Sequence, residues 1–109
     1  MEILETIFKL QKELAQITTL SRYPQVREKR VSLLATAMIH EAIELQRLTN
    51  WKWWKKPTKF DEAQAREEVI DLWHFLVQVS IELGMTPKEI LDEYLRKNQI
   101  NRKRQDIGY

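Results

Sequence analysis

The sequence predicts an all-α fold, a helical bundle of about four helices, and three observations carry that expectation. Apolar residues recur at three- and four-residue steps along most of the chain, the period of an amphipathic helix. Only two glycines and three prolines occur among 109 residues, fewer turn residues than strand-rich domains use. Asp61 and Thr86 stand at the starts of two such runs, as helix caps do.

The first helix is expected over residues 2 to 19, where Ile3, Ile7, Leu10, Leu14 and Ile17 share one face. A polar connection containing Pro24 follows. The second helix is expected over residues 31 to 50, with a stripe of Leu34, Ala37, Met38, Glu41, Leu45 and Leu48. A segment alternating Trp51, Trp53 and Trp54 with Lys52, Lys55 and Lys56 leads to Asp61, which caps the third helix with Gln64 as capping-box partner. That helix runs to about Leu83 and is apolar nearly all round from Val69, so it should be buried on several sides. Gly84 ends it. Thr86, Pro87 and Glu89 then start a fourth helix as cap, first helical residue and capping-box acid. This helix is expected to fade near Asn98, giving a helical domain over residues 1–98 and a basic tail over 99–109.

Composition narrows the function classes. The chain is one small domain with a thin core, which dimerisation would remedy. With no cysteine there is neither a disulfide framework nor a thiolate metal site. A net charge of +2, from 18 basic and 16 acidic residues, provides no global field for nucleic acid. No apolar run approaches the ~18 residues that span a bilayer, and the charged first twenty residues do not read as a secretory signal. The expectation is a soluble cytoplasmic protein that binds neither membrane nor nucleic acid.

The chemistry is expected in four carboxylates. Glu41 and Glu44 form Glu-x-x-Glu on the second helix, and Glu68 and Asp71 form Glu-x-x-Asp on the third. Residues three apart share a helix face, so two such helices packed together would bring four acids to one point. Buried bare charge is costly, and a divalent cation would offset it. An oxygen-only donor set favours a hard ion such as Mg²⁺, which keeps positions open for water and phosphates. Spacing alone fits solvated acids in salt bridges as well. Glu41 and Glu68, however, interrupt apolar stripes, where solvated acids have no place; Glu67 points elsewhere. Both readings stand at this point.

Nearby residues suit a nucleotide. The Trp-Lys segment could stack a base and neutralise phosphates, or pack the core with at least one of its tryptophans. His74 and Phe75, one turn past Asp71, are either core residues or a wall for the base. The basic tail holds Asn101 and Arg104 three residues apart and ends in Gly108-Tyr109. An arginine there could clamp phosphate bidentately, and the tail could close over a triphosphate.

Taken together, Glu41-x-x-Glu44-Leu45, Trp51-Lys52-Trp53-Trp54-Lys55, Glu68-x-x-Asp71-x-x-His74-Phe75 and Lys97-x-x-x-Asn101-x-x-Arg104-Gln105-x-x-Gly108-Tyr109 resemble the all-α NTP pyrophosphatase superfamily. The closing run looks like that of its dimeric dUTPase branch. The resemblance covers roughly residues 30 to 109; the acid pairs are common to the superfamily, including MazG-type and dCTP-cleaving enzymes. It implies a homodimeric or larger helical assembly that hydrolyses dUTP to dUMP and pyrophosphate with Mg²⁺. It implies Glu41, Glu44, Glu68 and Asp71 as metal ligands; Glu41, the first acid of the site, is the expected base. Lys55, Lys97, Asn101, Arg104 and Tyr109 would contact phosphates or sugar, and Gln11, Trp53, His74 and Phe75 the base. The chain is shorter than typical dimeric dUTPases, which carry extra helices, so base selectivity would be looser or would come from the dimer partner. The same chemistry on dCTP or on many bases is one rival. A helical nucleic-acid or protein-binding module built on the Trp-Lys segment is another.

Overall fold

A computed structural model, described over residues 2–18 and 22–108, contains four helices and no strand among the described residues: α1 (Ile3–Thr18), α2 (Arg27–Arg47), α3 (Glu62–Glu82) and α4 (Pro87–Asp106). The all-α expectation holds, and three of the four helices begin within a residue of the predicted place.

The helix ends follow local chemistry. Asp61 caps α3 by accepting from the backbone N–H of Gln64 at 3.0 Å. Gln64 does not return the bond to Asp61; its side chain donates to Glu68 instead, at 2.9 Å. At the other end, Gly84 adopts φ +73°. Gly84 N–H donates to Ile81 O, and Met85 N–H to Ser80 O, the paired bonds that close a helix on a left-handed residue. Thr86 then caps α4, accepting from Glu89 N–H at 3.1 Å, with Pro87 at the start.

Three boundaries differ from expectation. α2 starts at Arg27 rather than Val31, because Arg27, Glu28, Lys29 and Arg30 are good helix formers and two of them are tethered: Arg27 Nε donates to Glu82 O at 2.7 Å and Arg30 Nε to Pro24 O at 2.6 Å. α2 ends at Arg47, and Asn50 leaves the helix to pair both ways with the Thr58 backbone at 2.9 Å. α4 runs past Asn98 to Asp106. Its last turns are Arg102, Lys103, Arg104 and Gln105, all compatible with helix, and Lys103 and Arg104 favour the negative end of the helix dipole.

α3 is the central element. It packs along α2 on one side and α1 on another, while α4 touches only α1. Phe8, Leu34, Ala65 and Val77 form the buried apolar core. The predicted α1 stripe is exposed in the single chain (Ile3, Ile7, Leu10, Leu14 and Ile17), as are Ile70, Trp73 and Leu76 of α3. The accessible surface is 9209 Å², where a compact monomer of this mass exposes about 6,400 Å². The radius of gyration is 17.4 Å, against about 13 Å for a compact chain of this length.

Replacing Asp61 with Ala should destabilise the fold by about 1 kcal/mol, read as a lower urea midpoint at unchanged slope. An unchanged midpoint would mean that this cap contributes nothing.

Candidate active site

The facing of α2 and α3 decides where the acids go. Ala65, small and buried, lies one turn before Glu68 on α3. Glu41, Glu44 and Glu68 then each bring one carboxylate oxygen into a group whose members all lie within 4.8 Å of one another. Glu68 is only 8% exposed, Glu41 is half-buried and Glu44 is open to solvent. Asp71 does not join that group; it lines the adjoining cleft together with Glu41.

Two oxygens in this cluster, Glu41 Oε2 and Glu68 Oε2, are buried and have no hydrogen-bond partner. Buried polar atoms are normally paired, and an unpaired carboxylate oxygen among other carboxylates is costlier still. Burial pushes the Glu41 carboxyl above the ordinary glutamate range, and the charge of Glu44, a hydrogen bond with Glu68 and the charges of Asp71 and Glu68 push it the same way. No basic side chain forms an ion pair with these acids among the described residues, so salt bridges do not explain them. Three oxygen donors, two of them orphaned, fit a hard divalent cation.

Beside the acids lies a cleft of about 470 Å³, walled by Glu41, Asp71, His74, Phe75, Gln11 and Gln78 among others. Gln11 comes from α1 and bridges two residues of α3: its Nε2 donates to Gln78 Oε1 at 3.0 Å, and its Oε1 lies 2.8 Å from His74 Nδ1. Gln11, His74 and Phe75, singled out in the sequence, are thus assembled in one cleft with the acids. Gln78, Glu82, Tyr23 and Arg30 were not foreseen. Gln78 donates to Glu82 at 3.2 Å, Tyr23 donates to Glu82 at 2.8 Å, and Arg30 pairs with Glu82 at 3.4 Å. A signal existed: His74, Gln78 and Glu82 are polar residues four apart within the apolar run of α3.

Other expected residues stand elsewhere. Trp53 is 85% exposed and packs edge-to-face on Trp54. Lys55 belongs to a separate depression with Arg47, Trp51, Lys52 and Lys56. Neither lines the acid-bearing cleft. Lys97, Asn101 and Arg104 lie on α4, outside the cleft of their own chain, and Tyr109 lies outside the described residues.

A family model described as dUTPase matches residues 3–89, a span holding all four acids and the cleft. The chain belongs to this family of all-α NTP pyrophosphatases. It is also similar to the dCTP pyrophosphatase of Enterobacteria phage T4, 39% identical over 49 residues, covering 45% of this chain and 29% of that protein. With the dCTP pyrophosphatase of Enterobacteria phage LZ5 it is 37% identical over 73 residues, covering 54% of this chain and 41% of that protein. The chain thus spans well under half the length of these curated relatives. No solved structure matches it significantly.

A carboxyl raised by folding holds its proton more tightly in the folded than in the unfolded chain. Without a divalent cation, the stability contributed by Glu41 should be fully present below the ordinary carboxyl range and lost as pH rises through its raised value. The melting temperature of cation-free protein should fall across that rise, and Glu41→Gln should flatten the fall. Mg²⁺ should raise the melting temperature of the unaltered chain at neutral pH and leave that of Glu41→Gln nearly unmoved. A pH profile identical in both proteins would remove Glu41 from the cluster's electrostatics.

Proposed function

We propose that the protein is a Mg²⁺-dependent nucleoside triphosphate pyrophosphohydrolase that converts dUTP to dUMP and pyrophosphate. The observation that carries this is the pair of orphaned buried oxygens on Glu41 and Glu68 at the end of a nucleotide-sized cleft. Membership of the dUTPase family supports uracil as the base. The dCTP pyrophosphatase names of the two phage relatives favour a second reading, in which cytosine is the base.

Glu41, Glu44 and Glu68 would hold Mg²⁺, with Asp71 completing the acid set from the cleft side. A bound Mg²⁺ supplies neutralisation of phosphate oxygens and a lowered water pKa. Glu41, ionised once the cation is bound, would take a proton from the attacking water. The water oxygen bonds to phosphorus as the bond to the pyrophosphate leaving group breaks. Phe75 would lie against the base, and Gln11 and His74 would meet its polar edge. Trp53, Lys55, Lys97, Asn101 and Arg104 would reach the substrate only by closure from outside the cleft or from a second copy of the chain, and Tyr109 would join them at the phosphates or sugar.

A homodimer is part of this proposal. The surface in excess of a compact monomer, about 2,800 Å² per chain, is of the size that obligate dimers bury. The exposed apolar residues of α1 and α3 supply its chemistry. Trp73 borders two adjoining apolar grooves between α1, α3 and α4. Sedimentation should therefore give a dimer for the unaltered chain and a monomer for Trp73→Glu; a monomeric unaltered chain would contradict the homodimer.

Pyrophosphate release from dUTP, dCTP, dTTP and dATP tests the activity. The expected result is Mg²⁺-dependent release led by dUTP, reduced roughly a hundredfold or more in Glu68→Gln, since metal-held charge stabilisation is worth several kcal/mol. Release led by dCTP would favour the second reading. No release from any nucleotide would overturn the enzymatic assignment.

A further inference from the structure

The hydrogen bonds behind the cleft run in one direction. Glu82 is anchored: its side chain is only 12% exposed and pairs with Arg30, and Tyr23 donates to it at 2.8 Å. Burial, then the bond to Glu82, push the Tyr23 hydroxyl up to about 12, so it stays a donor at any physiological pH. An ionised carboxylate only accepts. Gln78 must therefore turn its amide nitrogen to Glu82, at 3.2 Å, and its carbonyl to Gln11. Gln78 is 6% exposed, so water cannot readily substitute for either partner. Gln11 in turn gives its amide nitrogen to Gln78 at 3.0 Å and leaves its carbonyl facing His74 Nδ1 at 2.8 Å. A carbonyl accepts, so Nδ1 must carry the proton, and Nε2 of the neutral ring keeps its lone pair.

We propose that Glu82, acting through Gln78, is a positioning residue that fixes the amide orientation of Gln11 and the tautomer of His74, and thereby the hydrogen-bond polarity of the wall that meets the base. This rests on the base-binding role given above to Gln11 and His74. With the relay intact, the wall offers one acceptor, His74 Nε2, and one remaining donor, the second N–H of Gln11, in a fixed order. A pyrimidine edge of matching order pairs with both. An edge of opposite order sets donor against donor and acceptor against acceptor, which disfavours it. Reversing the Gln11 amide would reverse the preference, and the relay from Glu82 is what forbids that reversal.

The test is nitrogen-15 NMR of the imidazole in the full chain, in the His40→Gln background so that His74 is the one histidine left. It is recorded at about pH 8, where imidazoles are ordinarily neutral. The expected spectrum has a protonated Nδ1 and an unprotonated Nε2. Gln78→Met, which keeps the length and removes the polarity, should shift both nitrogens toward averaged values. The same variant should lower the ratio of kcat/KM for the favoured over the disfavoured base, dUTP against dCTP, by roughly tenfold, as loss of one oriented hydrogen bond does. An Nε2-protonated His74 in the unsubstituted relay, or a spectrum unmoved by Gln78→Met, overturns the relay. The expected spectra with no hydrolysis of either nucleotide would uphold the relay and overturn the pyrophosphatase assignment instead.

Discussion

Mutual repulsion among Glu41, Glu44 and Glu68 is the constraint on which the site depends. Packing of α2 on α3 forces three carboxylate oxygens within 4.8 Å, and among the described residues no basic side chain pairs with them. Burial first, and then the charge of Glu44, a hydrogen bond with Glu68 and the charges of Asp71 and Glu68, push the Glu41 carboxyl up, so without a cation the cluster favours taking up a proton. That arrangement costs stability, and apolar residues at the same two stripe positions would not. The cost has a return only if a cation takes the proton's place, and a hard cation in an oxygen cluster keeps positions for phosphate.

α3 serves both halves of the cleft. Glu68 and Asp71 stand at the acid end, and His74, Gln78 and Glu82 follow at one-turn steps along the side that meets Gln11 and Tyr23. One helix thus sets the distance between the acid cluster and the Gln11–His74 pair, and α1 contributes Gln11, Leu14 and Thr18 across the seam. The same helix leaves Ile70, Trp73 and Leu76 exposed.

Much of this was legible in the sequence because it is local. Glu41 and Glu68 announce themselves as acids inside apolar stripes, and the caps at Asp61 and Thr86 are short-range patterns. The relay was not legible: Gln11 and Gln78 are 67 positions apart and Tyr23 and Glu82 are 59 apart, and no periodicity reports which polar residues meet across a seam. The end of α4 was misplaced because a basic, polar segment reads as tail, although arginine, lysine and glutamine are good helix formers. Gln64 fits a capping box by spacing, yet Glu68 is a stronger acceptor within reach and takes its side chain. The Trp-Lys segment follows α2 closely, and sequence proximity suggested the site; the Asn50–Thr58 clamp closes it into a loop that does not line the cleft.

Binding of Mn²⁺, a paramagnetic stand-in for Mg²⁺, followed by electron paramagnetic resonance in the absence of nucleotide, tests the carboxylate site most directly. A saturable signal from bound ion in the unaltered chain, displaced by Mg²⁺ and lost in Glu68→Gln, is the predicted result. An unaltered chain that leaves Mn²⁺ wholly in solution, or a Glu68→Gln variant that binds it equally well, would contradict a metal site at Glu41, Glu44 and Glu68.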